Sequence, residues 1–240
     1  MLAEPVEIKA GTQTELVVDF DVENSFVMRG NTIDKNGLPI KPVVHASITN
    51  LALTHSRVRL ANATDVKLTL LQNGTALPGS SDIAFGTSSG CNAVPVADPK
   101  LTVLQAGSTT PLPLTPTLVA GHPSTFVAFP GTGTAVNFET LANDFTATAG
   151  QAGLRVFNAT SNTTAFDVFV TAPATPPPPL GTATFTNIAA GKASGFVSVP
   201  AGASQVRITN TGTTTSPIDL GNHTLAAGVN TTLIIAPPAA

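Results

Sequence analysis

The chain has no tryptophan, no tyrosine and one cysteine, and only 10% of its 240 residues are charged. Each shortage excludes something. Without Trp or Tyr there is no platform of the kind on which sugar rings usually stack, so glycan binding would fall to Asn and Asp in polar loops. A single cysteine, Cys91, excludes an intrachain disulfide. Eleven scattered basic residues against fourteen acidic ones, net −3, supply no Lys/Arg patch to neutralise phosphates, which argues against nucleic acid as a partner. No apolar run approaches the ~20 residues a helix needs to span a bilayer. The opening MLAEPVEIKAG lacks the charged start and apolar stretch of a signal peptide.

What is present favours strands. Thr, Val, Ala, Asn, Gly and Pro dominate, β-branched residues suit a pleated surface, and Gly and Pro punctuate it. Hydrophobic content of 42% is enough for a core, built from aliphatic residues and twelve Phe. Alternation or short β-rich runs predict strands at Thr14 to Val22, Arg57 to Ala61, Asp65 to Leu71, Lys100 to Leu104, Ser124 to Phe129, Leu154 to Phe157, Phe166 to Thr171, Gly195 to Val199, Gln205 to Thr209 and Thr231 to Ile235. Asn36-Gly37, Asn73-Gly74, Pro78-Gly79, Pro130-Gly131 and Ala201-Gly202 supply turn chemistry between them.

Much of the chain is written twice. VRLANAT (Val58 to Thr64) returns as LRVFNAT (Leu154 to Thr160) at an offset of 96. IAFGTSSGCNAVP (Ile83 to Pro95) lies against IAAGKASGFVSVP (Ile188 to Pro200) at 105, and LVAGHPSTFVAFP (from Leu118) against LAAGVNTTLIIAP (from Leu225) at 107. Two homologous units are expected, each close to the size of a β-sandwich module, with insertions in loops. The expected divisions are an N-terminal β-extension or partial domain at 1–50, a first sandwich at 51–148 and a second at 149–240. Small polar stretches mark the boundaries, near Asn50 to Ser56 and near Asp144 to Gly153. The tetraproline Pro176 to Pro179 resembles a linker, yet its repeat counterpart is the loop QNGTALPGSS, which places it inside the second unit. Cys91 aligns with Phe196 and reads as a small buried hydrophobe. Asn62 and Asn158 close equivalent strands, where an Asn side chain caps a turn through the backbone; this structural role is preferred over glycosylation at their Asn-x-Thr sites.

The pattern V-R-x-x-N-A-T, the aspartate of Asp167-Val168 (with Asp65-Val66 as its looser counterpart), G-x-x-S-G before a Val-Pro turn, and QVRIT resemble a bacterial cell-surface domain-of-unknown-function family, family 4397. The resemblance covers about Arg57 to Pro237 in two copies. It implies tandem immunoglobulin-like antiparallel β-sandwiches in a secreted or envelope-attached setting, and no reaction. Val6 to Ala46 is similar to the closing part of another such family, family 4382.

The chemistry-bearing residues form no catalytic pattern. His45, His55, His122 and His223 sit in no nucleophile or metal motif, and His122 aligns with Val229, so no catalytic residue, no enzyme activity and no cofactor is expected. Asp19, Asp21 and Glu23 share one strand face and form the one weak metal candidate, a solvated face being the simpler reading. A second feature concerns strands. The first repeat continues into TAVNFETL (Thr134 to Leu141), a closing strand that the second lacks. The expected interaction site is therefore an acceptor edge at Leu233, Ile234 and Ile235. An orphan strand, Glu15, Leu16, Val17, Val18, Asp19 and Phe20, is its expected donor from another molecule. The function read from the sequence is a non-catalytic extracellular or cell-surface structural or adhesive protein, a candidate filament subunit whose partners are itself, other surface proteins or glycans. The alternative is a carbohydrate- or protein-binding module.

Overall fold

The computed structural model describes residues 12–21, 43–52, 54–161, 164–215 and 218–236, with side chains from residue 54 onward. Packing divides the chain into Met1–Thr54 and His55–Ala240. Among the described residues every regular element is a strand. Among those residues no helix is long and apolar enough to cross a membrane.

The first unit holds β1 (Thr12–Asp21) and β2 (Val43–Ala52), antiparallel partners from Thr12↔Ala52 to Asp21↔Val43. The expectation of an orphan N-terminal strand is thereby corrected. Glu15 to Phe20 all have β2 partners, from Glu15↔Thr49 to Phe20↔Val44. In β2, VVHASITNLA, small and polar residues dilute the alternation that marks a strand.

The second unit contains two sandwiches. The first is built from β3 (His55–Asn62), β4 (Leu68–Gln72), β5 (Thr75–Ala76), β6 (Asn92–Pro95), β7 (Leu101–Gln105), β8 (Leu112–Leu114), β9 (Ser124–Pro130) and β10 (Val136–Ala142). Its sheets run β10-β9-β3-β6 and β5-β4-β7-β8. The second is built from β11 (Gln151–Asn158), β12 (Phe166–Thr171), β13 (Phe185–Ile188), β14 (Val197–Pro200), β15 (Gly202–Asn210), β16 (Ile218–Leu225) and β17 (Asn230–Ile235), in sheets β14-β11-β17 and β13-β12-β15-β16. Pairing is antiparallel, as expected of the sandwiches, with one parallel exception in each copy. β3 runs parallel to β9, and β11 to β17. Both later strands enter from the opposite sheet, so no hairpin forces them antiparallel.

Alternation sets the cores. Val58 and Leu60 of β3 point inward with Leu68, Leu70, Val94, Val103 and Phe126, all fully buried. Leu154, Val156, Val168, Val206 and Ile208 do the same in the second sandwich. Burying each such side chain contributes about 1.5–3 kcal/mol. The duplication extends to register. Val58 faces Ser124 and Asn92, and Leu154 faces Thr231 and Val197, the same pairs at the sequence offsets. Register also corrects one alignment. Leu68 and Phe166 both face the isoleucine of the repeat, Ile83 and Ile188, so the counterpart of Asp167 is Thr69 and not Asp65.

The tetraproline lies between β12 and β13, inside the second sandwich. Asn62 and Asn158 are buried clamps. Asn62 Nδ2 donates to the Val66 and Ile83 carbonyls while its Oδ1 accepts from the Thr64 amide and hydroxyl. Asn158 repeats this with Thr164, Ile188 and Thr160.

The two sandwiches stack through the outward faces of β10-β9-β3-β6 and β14-β11-β17. Val127, Phe129 and Leu141 meet Phe157 and Ala159 in a shared buried cluster. The rings of Phe129 and Phe157 pack edge-to-face at 5.3 Å. Gly191, at φ +68°, lets the Phe129 ring approach so closely that a Cβ would stand 3.1 Å from it.

Candidate functional site

In the first sandwich β9 is flanked by β3 and by β10, which pairs from Val136↔Pro130 to Ala142↔Ser124. In the second, β17 has β11 on one side, and among the described residues no strand lies on the other. The Gly153 amide donates to the Val229 carbonyl and the Ala159 amide to the Ile235 carbonyl. Odd-numbered residues of β17 therefore bond β11, and the amides and carbonyls of Thr232 and Ile234 turn to the open edge. The side chains alternate too. Leu233 and Ile235 pack on the core of their own sandwich, and Ile234 packs on the cluster between the sandwiches.

The edge borders a groove of about 830 Å³, walled by Thr232 and Ile234 on one side and by Arg59, Ala61, Phe85 and Thr125 of the first sandwich on the other. Its origin lies in the repeat. Phe129 and Phe157 fill one half of the join, and their repeat counterparts are Ala236 and Ala61, both of which line the groove. Small side chains leave open what large ones fill on the other half.

Arg155 and Arg59 are also counterparts, at offset 96. Arg155 is buried, and its guanidinium lies 4.3 Å over the Phe196 ring. It donates to the Ala142 carbonyl and to Asn143 Oδ1, each at 2.7 Å, and to Thr232 Oγ1 at 2.9 Å. Burial lowers its pKa to about 10, which still leaves it charged at neutral pH. Phe145 stacks on Phe196, and Asn230 Nδ2 donates to the Phe145 carbonyl at 2.7 Å. The boundary segment is thus clamped over the second sandwich. Arg59, by contrast, is exposed, with no hydrogen bond or ion pair among the described residues. Asn230 Oδ1 is buried beside the groove with no hydrogen-bond partner among the described residues.

The sequence-derived candidates divide accordingly. Leu233, Ile234 and Ile235 stand on the open-edged strand, whereas the proposed donor residues lie in β1, paired with β2. Asp19 and Asp21 lie in β1 opposite His45 and Val43, and Glu23 lies outside the described residues. Among the described residues no group of three or more His, Cys, Asp or Glu could hold a metal ion. Cys91 is exposed, contrary to expectation. Phe196 is covered by Phe145 and Arg155, and Cys91 has no such cover because the matching arginine, Arg59, is itself exposed. Sequence reasoning missed Arg59, Ala61 and Phe85. The available signal was the exchange of Ala61 for Phe157 between otherwise matching motifs.

Two other polar places stand apart. His122 Nδ1 and Asp144 Oδ1 lie 2.8 Å apart, tying the loop before β9 to the boundary segment. Beside the tetraproline, a cavity of about 540 Å³ is lined by Pro173, Pro177, Gln205, Asp219 and Asn222. Near it Arg207 Nη1 donates to the Pro178 carbonyl, while Gln205 Oε1 and Arg207 Nε and Nη2 are buried with no partner among the described residues.

No curated protein matches the chain. Among solved structures, the Bacillus anthracis TIE protein is similar over 94% of this chain at 8% identity, with a TM-score of 0.23. The chain spans 41% of that structure's length. Residues 152–240, which begin within β11 and take in the rest of the second sandwich, match the family described as "Domain of unknown function (DUF4397)".

Proposed function

We propose that this is a non-catalytic, extracytoplasmic structural or adhesive protein that assembles by strand addition at the open edge of β17. The observation that carries the reading is the contrast between β9, closed by β10, and its register-equivalent β17, which faces a groove with outward-turned backbone groups. An unpaired edge beside a groove takes an extended segment through main-chain hydrogen bonds, with side-chain pockets adding selectivity. The identical registers support reading 51–148 as a second copy of the family matched at 152–240. An envelope or secreted setting, in which such modules occur in tandem, goes with that reading of the family match. Residues 1–50 form the N-terminal β-extension, similar to the closing part of family 4382.

Electron microscopy and light scattering of the purified chain test the proposal. Oligomers or filaments that lengthen with concentration are expected. A monodisperse monomer at every concentration overturns it. A second reading, a glycan-binding module, is favoured by the cavity beside the tetraproline, where proline rings adjoin Gln205, Asp219 and Asn222. It predicts saccharide binding that Asp219→Ala abolishes.

A further inference from the structure

We infer that the sheet face beneath the tetraproline binds a saccharide carrying a carboxylate, a sugar of the uronic-acid type, with Arg207 as its anchor. The inference rests on the second reading above, that the cavity beside the tetraproline takes a glycan, and is independent of the β17 edge. Alternation builds the face. Val168, Val206 and Ile208 point into the core, so Phe169 and Thr171 of β12 and Gln205 and Arg207 of β15 point the other way. Register lays them out in two rows across three strands. Thr171 stands opposite Gln205 and Gln205 opposite Asn222; Phe169 stands opposite Arg207 and Arg207 opposite Asp219. The segment after β12 crosses over them. Pro173 and Pro177 wall the cavity with Gln205, and the Pro178 carbonyl accepts from Arg207 Nη1 at 2.7 Å.

Unspent polar groups concentrate here. Five buried side-chain atoms have no hydrogen-bond partner among the described residues, and four of them lie on this face: Thr171 Oγ1, Gln205 Oε1, and Arg207 Nε and Nη2. Gln205 and Arg207 are 6% and 5% exposed, so bulk water does not satisfy them. The first sandwich shows that the fold does not require this arrangement. Leu70↔Val103 there matches Val168↔Ile208, which makes Leu71, Thr102 and Pro113 the counterparts of Phe169, Arg207 and Asp219. At this place the charges belong to the second copy alone.

What the unspent groups lack defines the ligand. Nε and Nη2 form the edge of a guanidinium that takes a carboxylate through two parallel bonds. Gln205 Nε2 is spent on Asp219 Oδ2 at 2.7 Å, and the remaining Oε1, an acceptor only, calls for a hydroxyl. Asp219 and Asn222 add polar groups on the open side, while the exposed rings of Pro173 and Pro177 offer apolar surface to a sugar ring. A phosphate dianion suits the place less, because it brings no donor for Oε1 and sets two negative charges near the Asp219 carboxylate. The cavity, about 540 Å³, has the size of a small-molecule site. Arg207 lies beneath Pro178 and not in the cavity wall, so a carboxylate entering from the cavity reaches it by displacing that part of the proline segment.

Calorimetric titration of the full chain tests this with galacturonate and glucuronate oligosaccharides and their methyl esters, which keep the rings and hydroxyls and lose the charge. The acids should bind about tenfold or more tightly than the esters, the scale of a charge-assisted bidentate pair. Arg207→Lys, which keeps the charge and loses the fork, should bring the acids down to the affinity of the esters while circular dichroism shows the fold retained. Should that variant not fold, the comparison of acid with ester on the wild-type chain decides alone. Equal affinity for acid and ester, or acid binding that a folded Arg207→Lys chain keeps, overturns the anchor and leaves the glycan reading standing. Inorganic phosphate that displaces the acids at equal concentration overturns the saccharide class. Binding of neither form overturns both readings.

Discussion

At the scale of the residue, the most demanding groups are polar ones placed inside. The roles of Asn62 and Asn158 were legible in the sequence, because a short amide ending a strand before Ala-Thr has few other uses. Asp167 was legible only as a motif letter. Its burial raises the carboxyl pKa, but the Asn187 and Gly212 amides and the Thr211 hydroxyl outweigh this and hold it below the ordinary carboxylate range. A folded-state pKa lower than the unfolded one stabilises fully above the unfolded value, ~3.9, and the contribution fades as pH falls through the lowered folded value. Asp167→Asn should therefore cost about 1–3 kcal/mol at neutral pH. In denaturant titrations the gap to wild type should close below about pH 4.

At the scale of the element, alternation disclosed most strands of the two sandwiches, since each buries one face and wets the other. It failed for β2, whose small residues blur the period, and it assigned the Phe side chains to cores by default. Phe157 and Phe129 lie outside their own sandwich cores, on the strands that join the two, and periodicity cannot say which of two faces is covered by what. Arg155 was invisible for a related reason, because its acceptors Ala142 and Asn143 belong to the end of β10 in the other sandwich, which no periodicity within β11 indicates. Replacing it by Met leaves Asn143 Oδ1 and the Ala142 carbonyl without their donor. Arg155→Met is expected to cost about 2–4 kcal/mol. It should also raise amide hydrogen exchange over residues 142–150 well before that of the β15 core, which mass spectrometry can resolve.

At the scale of the whole His55–Ala240 unit, the buried Phe129–Phe157 contact couples two sandwiches that the sequence presents as separate modules. Wild type should melt in one calorimetric transition over both. Phe157→Ala, costing about 3–5 kcal/mol at the join, should split it into two, each with a smaller enthalpy. The candidate site was half legible. The repeat alignment points to the β17 edge, whereas the groove beside it depends on Ala61 and Ala236 lining one join, which no local pattern predicts.

That join has a symmetry consequence. Each sandwich contributes its equivalent sheet, face to face, so the two copies are related as in a two-fold dimer and the contact is isologous. Isologous contacts close on themselves, and a third copy cannot stack on a face already spent. Any longer array must propagate through a different, heterologous surface. The departure from perfect symmetry, phenylalanines on one side of the pseudo-axis and alanines on the other, leaves such a surface beside β17.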